Sequence, residues 1–424
     1  MVLVLNFVRT SGAQVPMGTM FNVTFLRSVG TNELNTILAA DKETFAQPHD
    51  TNYVVPSFNP ATYPVDIYKI SYVSRIPEQR NKKTILTGMI AIPKVGEGRY
   101  PKTPKLVSYQ HGTIFGKYQC PSYAFAPNNP ETIGNYWDGG YEDRLVTAVF
   151  AGQGDVVIAA DYLGMGDSTE SEGYSLKGSG QQACLDCYLA ASSFLTAKGI
   201  RPSGLFLNGW SQGGLVTLHF LEKLEELGYP VTAASTASAP ADPLAVMNGL
   251  IYNPSPIQAS WNNVMLVLSV FSYEKYYSQP GLAKEVINPD YYELCKQVYD
   301  RKGPDSLGKT YSILFGSNAI TNNFWELVQP KYHDPLNLAA SIYGKDLDRN
   351  QGYRWFSFTP LHMYYGLVDE VVTVPVGLLP KYYDQALGNT NITAFPVVGG
   401  NHRGTFLQAV ANQKIWFDSF SGTP

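Results

Sequence analysis

The chain has 424 residues, 44% of them hydrophobic, which is ample material for a large core in one domain with an insertion or in two domains. Its net charge of −4 comes without any block of basic residues, so the electrostatic footprint of a nucleic-acid or anionic-membrane binder is missing. No stretch approaches the roughly 20 apolar residues that cross a bilayer, which excludes an integral membrane span.

Charged residues make up 16%, against about 25% in an average soluble domain, while 29 Tyr, 28 Pro and 38 Gly imply a loop-rich, aromatic surface. That balance favours a secreted or periplasmic location, although the apolar run at 1–8 lacks a basic flank, is broken by Asn6 and makes a poor signal peptide. Four cysteines, Cys120, Cys184, Cys187 and Cys295, are too few for a disulfide scaffold and have no histidines at zinc-ligand spacing. Cys184 and Cys187 share one face of an expected helix, where a bridge would strain disulfide geometry. They read as buried thiols, or one of them as a partner of Cys120; no metal or redox role follows.

Residues 1–64 contain a weak helix at 33–45 and then a Pro- and Asn-rich segment, and are expected to form a covering arm without chemistry. From Val65 the pattern alternates, at 65–73 and again at 85–93 across a polar turn, as an antiparallel hairpin does. Compact apolar runs at 106–109, 156–160 and 205–207 follow, with helical patterns at 143–151 and 179–198 between them. Strands alternating with helices imply a parallel sheet covered on both faces. Further strands are expected at 231–239, 359–365 and 392–398, and a last helix at 405–417, giving eight strands in all.

Between 242 and 356 lie far more residues than one crossover helix needs. This surplus is the expected cap, mainly helical and inserted after the sixth strand. Its aromatic residues, among them Trp261, Phe271, Tyr273, Tyr276 and Trp325, suit either an acyl pocket or the cap's own core. The remaining parts, 65–241 and 357–424, form the expected core domain.

The chemistry is concentrated at Gly209-Trp210-Ser211-Gln212-Gly213. A strand that turns into a helix at one residue strains that residue and crowds positions two away, and glycine at both flanks relieves the crowding. Leu205 to Leu207 supply the strand, and Leu215, Leu218, Leu221, Leu224 and Leu227 supply helical spacing until Gly228 stops it. Ser211 is then exposed at a helix N-terminus, where backbone N–H groups favour a developing anion.

A serine hydroxyl needs a histidine to take its proton and a carboxylate to hold that histidine. Of six histidines, His402 lies on a glycine-rich loop after the last strand, at the strand edge where Ser211 emerges. His49, His219, His333 and His362 fit worse and read as core or surface residues. Asp369 follows the preceding strand, which gives the order Ser211, Asp369, His402, with Glu370 as the fallback acid. The oxyanion should be met by the backbone N–H of Gln212 and by one from His111, Gly112 or Thr113, after the third strand. Trp210 and Tyr109 are candidate substrate contacts, and His111 itself reads as structural.

These segments resemble the α/β-hydrolases, and more narrowly the secretory lipase family and its bacterial esterase relatives. The resemblance is carried by the hairpin at 68–93, by Ser108-Tyr109-Gln110-His111-Gly112-Thr113, by Ala160-Asp161-Tyr162-Leu163-Gly164-Met165-Gly166, by the elbow at Ser211 and by the Asp369 and His402 loops. It spans about 65–417 outside the cap and implies ester hydrolysis, a helical lid, no cofactor and a structural role for Asp161. The sequence thus predicts an α/β-hydrolase fold with an eight-stranded, mostly parallel sheet and helices on both faces. The expected activity is that of a serine esterase or lipase acting on small-molecule or lipid-like esters through an acyl-enzyme, without metal. Alternatives on the same scaffold are a serine peptidase or amidase, an acyltransferase, and an inactive binding protein.

Overall fold

The N-terminal segment does more than cover the molecule. In the computed structural model, which describes residues 16–46, 50–129, 140–301, 306–316 and 319–420, it supplies strand β1 (Met20–Val29) and helix α1 (Thr31–Ala46). β1 pairs antiparallel with β2 (Val65–Ile76), so the sheet has nine strands, not the expected eight. The strand was hidden because register shifts at 20–22 and 25–27 break the apolar–polar alternation of a half-buried strand, and its large residues Phe21 and Phe25 remain 69% and 46% exposed.

β2 forms the expected hairpin with β3 (Lys82–Pro93), closed through Arg80 and Asn81 at positive φ. β4 (Leu106–Gln110), β5 (Val156–Ala160), β6 (Leu205–Trp210), β7 (Ala233–Ala237), β8 (Leu361–Gly366) and β9 (Ile392–Val397) follow. The sheet order is β1-β2-β3-β5-β4-β6-β7-β8-β9, antiparallel up to the β3–β5 pair and parallel from there on. Every residue of β4, β5 and β7 is buried, as continuous apolar strands between two helical layers must be.

Successive residues of each strand serve opposite layers: in β5, Val157 packs into one core and Ile158 into the other. The first core lies under α1, α2 (Tyr141–Phe150) and α14 (His402–Ser419); the second lies under α3 (Lys177–Ala197) and α4 (Gln212–Glu226). Leu215, Leu218, Leu221 and Leu224 of α4 are wholly buried, and Gly228 at φ 72° follows the helix. The four cysteines are all buried and unpaired. No helix of the described residues is long and apolar enough to cross a membrane.

Between β7 and β8 the chain is helical: α5 (Pro243–Tyr252), α6 (Asn263–Tyr276), α7 (Leu282–Val286), α8 (Pro289–Asp300), α9 (Ser306–Phe315), α10 (Phe324–Leu327), α11 (Pro335–Ala340) and α12 (Ile342–Arg349). α6 is buried almost all round, the mark of a central helix. Its Phe271, Tyr273 and Tyr276 belong to the same core as α4, so most of the segment's aromatic residues serve packing. Beyond β8, α13 (Val374–Ala386) leads to β9 and α14.

Candidate active site

Ser211 joins β6 to α4 at φ 57° and ψ −125°, a conformation that costs a residue with a Cβ about 1–3 kcal/mol. Its N–H donates to the Ala237 carbonyl on β7 (2.9 Å), and its own carbonyl accepts from the Leu215 N–H (3.2 Å), so sheet and helix hold the turn from both sides. A Cβ on Gly209 would lie 2.4 Å from the Gly213 carbonyl oxygen, and one on Gly213 would lie 1.9 Å from that of Gln110. The flanking glycines are therefore steric requirements of the turn.

His402 opens α14, whose start is capped by the Asn401 side chain accepting from the Gly404 N–H at 2.7 Å. Its Nδ1 lies 3.0 and 3.2 Å from the two carboxylate oxygens of Asp369. Asp369 Oδ1 also accepts from the N–H groups of Val371 and Val372, each at 2.9 Å. Burial alone would push the Asp369 carboxyl up, but the facing His402 and the Val372 N–H outweigh it and hold it below the usual carboxylate range. Glu370 takes a different place, accepting from the His402 backbone N–H at 2.9 Å. Asp369, not Glu370, meets the imidazole.

The other imidazole nitrogen, Nε2, is buried and makes no hydrogen bond with any described residue. His402 and Ser211 line one cavity of about 110 Å³, together with Thr113, Trp210, Trp261 and Glu142. The remaining histidines are elsewhere. His219 lies 2.9 Å from the Asn350 carbonyl, His362 stacks on Trp416 and His333 on Trp325, while His49 lies outside the described residues.

The segment expected to complete an oxyanion hole is divided by its partners. The Gly112 N–H donates to both carboxylate oxygens of Glu142 at 3.0 Å. The Thr113 N–H makes no hydrogen bond among the described residues, and Thr113 borders the cavity. The Gln212 N–H, the first of α4, has no intrahelical acceptor. The His111 ring is buried against Tyr162, with its nitrogens 2.8 Å from the Gly112 carbonyl and 3.3 Å from that of Asp161. Burial lowers its pKa, so it stays neutral.

Trp210 reaches the cavity, its ring 5.1 Å from that of His402 and its Nε1–H donating to the His402 carbonyl at 3.1 Å. Tyr109 does not; it is fully buried and spends its hydroxyl on Glu142 Oε2 at 2.6 Å. Asp161 is wholly buried and accepts from the Ser122 N–H (2.9 Å), the Ser122 hydroxyl (2.6 Å) and the Thr87 hydroxyl (2.5 Å). It ties three segments together behind the site.

No family model matches the chain, and no curated protein sequence matches it. Solved structures do. A hydrolase candidate from Legionella pneumophila superposes with a TM-score of 0.76 at 20% identity, over 96% of this chain and 100% of the other. The rice cell wall degrading esterase LipA from Xanthomonas oryzae gives 0.75 at 19% identity, over 96% and 98%. Candida antarctica lipase A in its closed state gives 0.65 at 14% identity, over 96% and 84%. The chain has the α/β-hydrolase fold. In such an α/β-hydrolase sheet the site forms outside the carboxyl ends of the strands, and Ser211, Asp369 and His402 follow β6, β8 and β9 at that edge.

Phe45 and Glu142 of the cavity wall escaped the sequence reading, whereas Trp261 was among the aromatic residues expected to line either an acyl pocket or the core of their own segment. Phe45, on the α1 expected to lack chemistry, packs edge-on against Trp210 at 5.7 Å. Trp261, from the helical segment before β8, stands 6.3 Å from the His402 ring. Glu142 looked like an ordinary acidic residue in a first helical turn, where the helix dipole favours one. Nothing local in the sequence marks its carboxylate as bound to the loop at Gly112.

Proposed function

We propose that the chain is a serine hydrolase of carboxylic esters working through an acyl-enzyme. The observation that carries this reading is the strained Ser211 sharing a cavity with a His402 whose Nδ1 faces buried Asp369. His402 Nε2 takes the Ser211 hydroxyl proton as Oγ bonds to the ester carbonyl carbon. The same proton passes to the leaving alcohol as the ester C–O bond breaks. Water then gives a proton to His402 and attacks the acyl carbonyl, and Ser211 leaves with that proton restored. Asp369 fixes the imidazole tautomer and balances its charge, and the N–H groups of Gln212 and Thr113 meet the oxyanion. This chemistry needs no cofactor.

The names of two superposable structures, an esterase and a lipase, support an ester carbonyl as the target. We read 65–241 and 357–424 as the catalytic core and 242–356 as a cap over the cavity. Trp261 at the cavity wall and the Ala259 N–H donating to the Glu370 carbonyl at 2.9 Å support that division. The low charged fraction supports a secreted or periplasmic setting. The test is labelling by a fluorophosphonate probe at Ser211, with p-nitrophenyl esters as substrates. Ser211→Ala should lose labelling and about 10⁴-fold or more of kcat; retained activity would sink the mechanism.

A further inference from the structure

The cavity holds a carboxylate that the proposed chemistry does not use. Glu142 is 7% exposed, accepts from the Gly112 N–H with both oxygens and from the Tyr109 hydroxyl with Oε2, and borders the same space as Ser211, Thr113 and His402. A buried charge is retained only where hydrogen bonds and a counter-charge satisfy it. Here the donors come from β4 and the loop after it, and the imidazole of His402 is the group across the cavity that becomes cationic when Ser211 is deprotonated. Gly112 is pinned from the other side as well, since a Cβ there would lie 3.2 Å from the Trp210 ring.

Resting on the serine-hydrolase reading above, we propose that Glu142 is a positioning residue of the oxyanion loop. By capturing the Gly112 N–H it commits the Thr113 N–H to the substrate oxygen, and its charge balances the imidazolium of His402. The groups facing it are Tyr109 on β4, His402 at the start of α14, Tyr162 after β5 and Asp143 on its own helix. Arg403 borders the same cavity, and Arg144 is turned toward Asp41 at 3.6 Å. Burial raises the Glu142 carboxyl to about 7, with Tyr109, Gly112 and His402 pulling the other way. The clamp is therefore charge-assisted above neutrality and weaker below it, because ionised acceptors bind N–H and O–H donors more strongly.

Glu142→Gln keeps the shape and one acceptor oxygen but removes the charge. With p-nitrophenyl acetate, and with kcat counted per fluorophosphonate-titrated site so that misfolded protein is excluded, kcat should fall roughly 10- to 100-fold, as small misplacements of a catalytic donor do. KM should stay near its original value. The acid limb of kcat/KM against pH should be steeper than a single proton in the unaltered chain and reduce to one proton in E142Q, a change that a merely structural role would not produce. Glu142→Ala should lose more than E142Q. Unchanged kcat and an unchanged limb in E142Q would overturn the proposal, and so would a rise in kcat, which would mean that Glu142 blocks the Gly112 N–H. Absence of labelling in the unaltered chain would overturn the serine reading and this inference with it; labelling with an unaffected E142Q would overturn only the latter.

Discussion

Asp369 Oδ1 has three partners, the N–H groups of Val371 and Val372 and the Nδ1 of His402. An amide in its place could present nitrogen to the imidazole and select the wrong tautomer, leaving Nε2 protonated and unable to accept from Ser211. Asp369→Asn is therefore expected to lower kcat about 10⁴-fold with little effect on KM, measured by p-nitrophenyl ester turnover. An effect under tenfold would move the acid role elsewhere, to Glu370 first. The candidates Ser211, His402 and Asp369 were readable because each demand is local: two glycines around a serine, a glycine-rich loop before a helix, a carboxylate just past a strand. Glu142 and Phe45 were not, because what distinguishes them is a partner far along the chain. Tyr109 shows the converse error. Its position beside the oxyanion loop suggested a substrate contact, but strand alternation turns its ring into the core under α14.

At the scale of elements, the helical segment before β8 is fastened to the loop after β5. Arg301, just past α8, lies 3.0 Å from Glu172 Oε2 and donates to the Ile114 carbonyl at 2.8 Å, beside Thr113. The Ser272 and Tyr299 hydroxyls donate to the Glu172 carbonyl at 3.0 and 2.8 Å. Both members of the ion pair are buried, so removing either one leaves an uncompensated charge. Arg301→Met or Glu172→Gln alone should cost about 3–5 kcal/mol, and Arg301→Met with Glu172→Leu much less, read from urea denaturation. The pH dependence has a definite sign. Burial raises the Glu172 carboxyl to about 6 against the pull of Arg301, so the folded state binds its proton more tightly than the unfolded chain does. Stability should fall as pH rises from about 4.3 to the folded value and level off above it. In R301M the falling window should extend to higher pH; an unchanged window would mean that Arg301 does not act on Glu172. None of this was legible in the sequence, where nothing links Arg301, between Asp300 and Lys302, to Glu172 more than a hundred residues earlier, just as β1 was lost to its register shifts and exposed phenylalanines.

For the whole molecule the question is whether 242–356 is a separable unit. Its length suggested an inserted domain, but one apolar cluster runs from Ile70 and Ile90 of the sheet through Leu218 of α4 to Leu266 and Val270 of α6 and on to Leu347. A helix as fully buried as α6 cannot keep its structure when the surfaces on either side are withdrawn, because most helical stability in proteins comes from packing. Residues 242–356 and the sheet should therefore unfold together. In a urea titration, intrinsic Trp fluorescence, which samples Trp261 and Trp325 between β7 and β8 as well as Trp210 on β6 and Trp416 on α14, should change at the same midpoint as far-UV circular dichroism and as loss of fluorophosphonate labelling. A first transition that abolishes labelling while most of the circular dichroism signal survives would show 242–356 melting from an intact sheet. It would also mean that the ion pair at Glu172 is a surface clasp between two folding units, not a part of one.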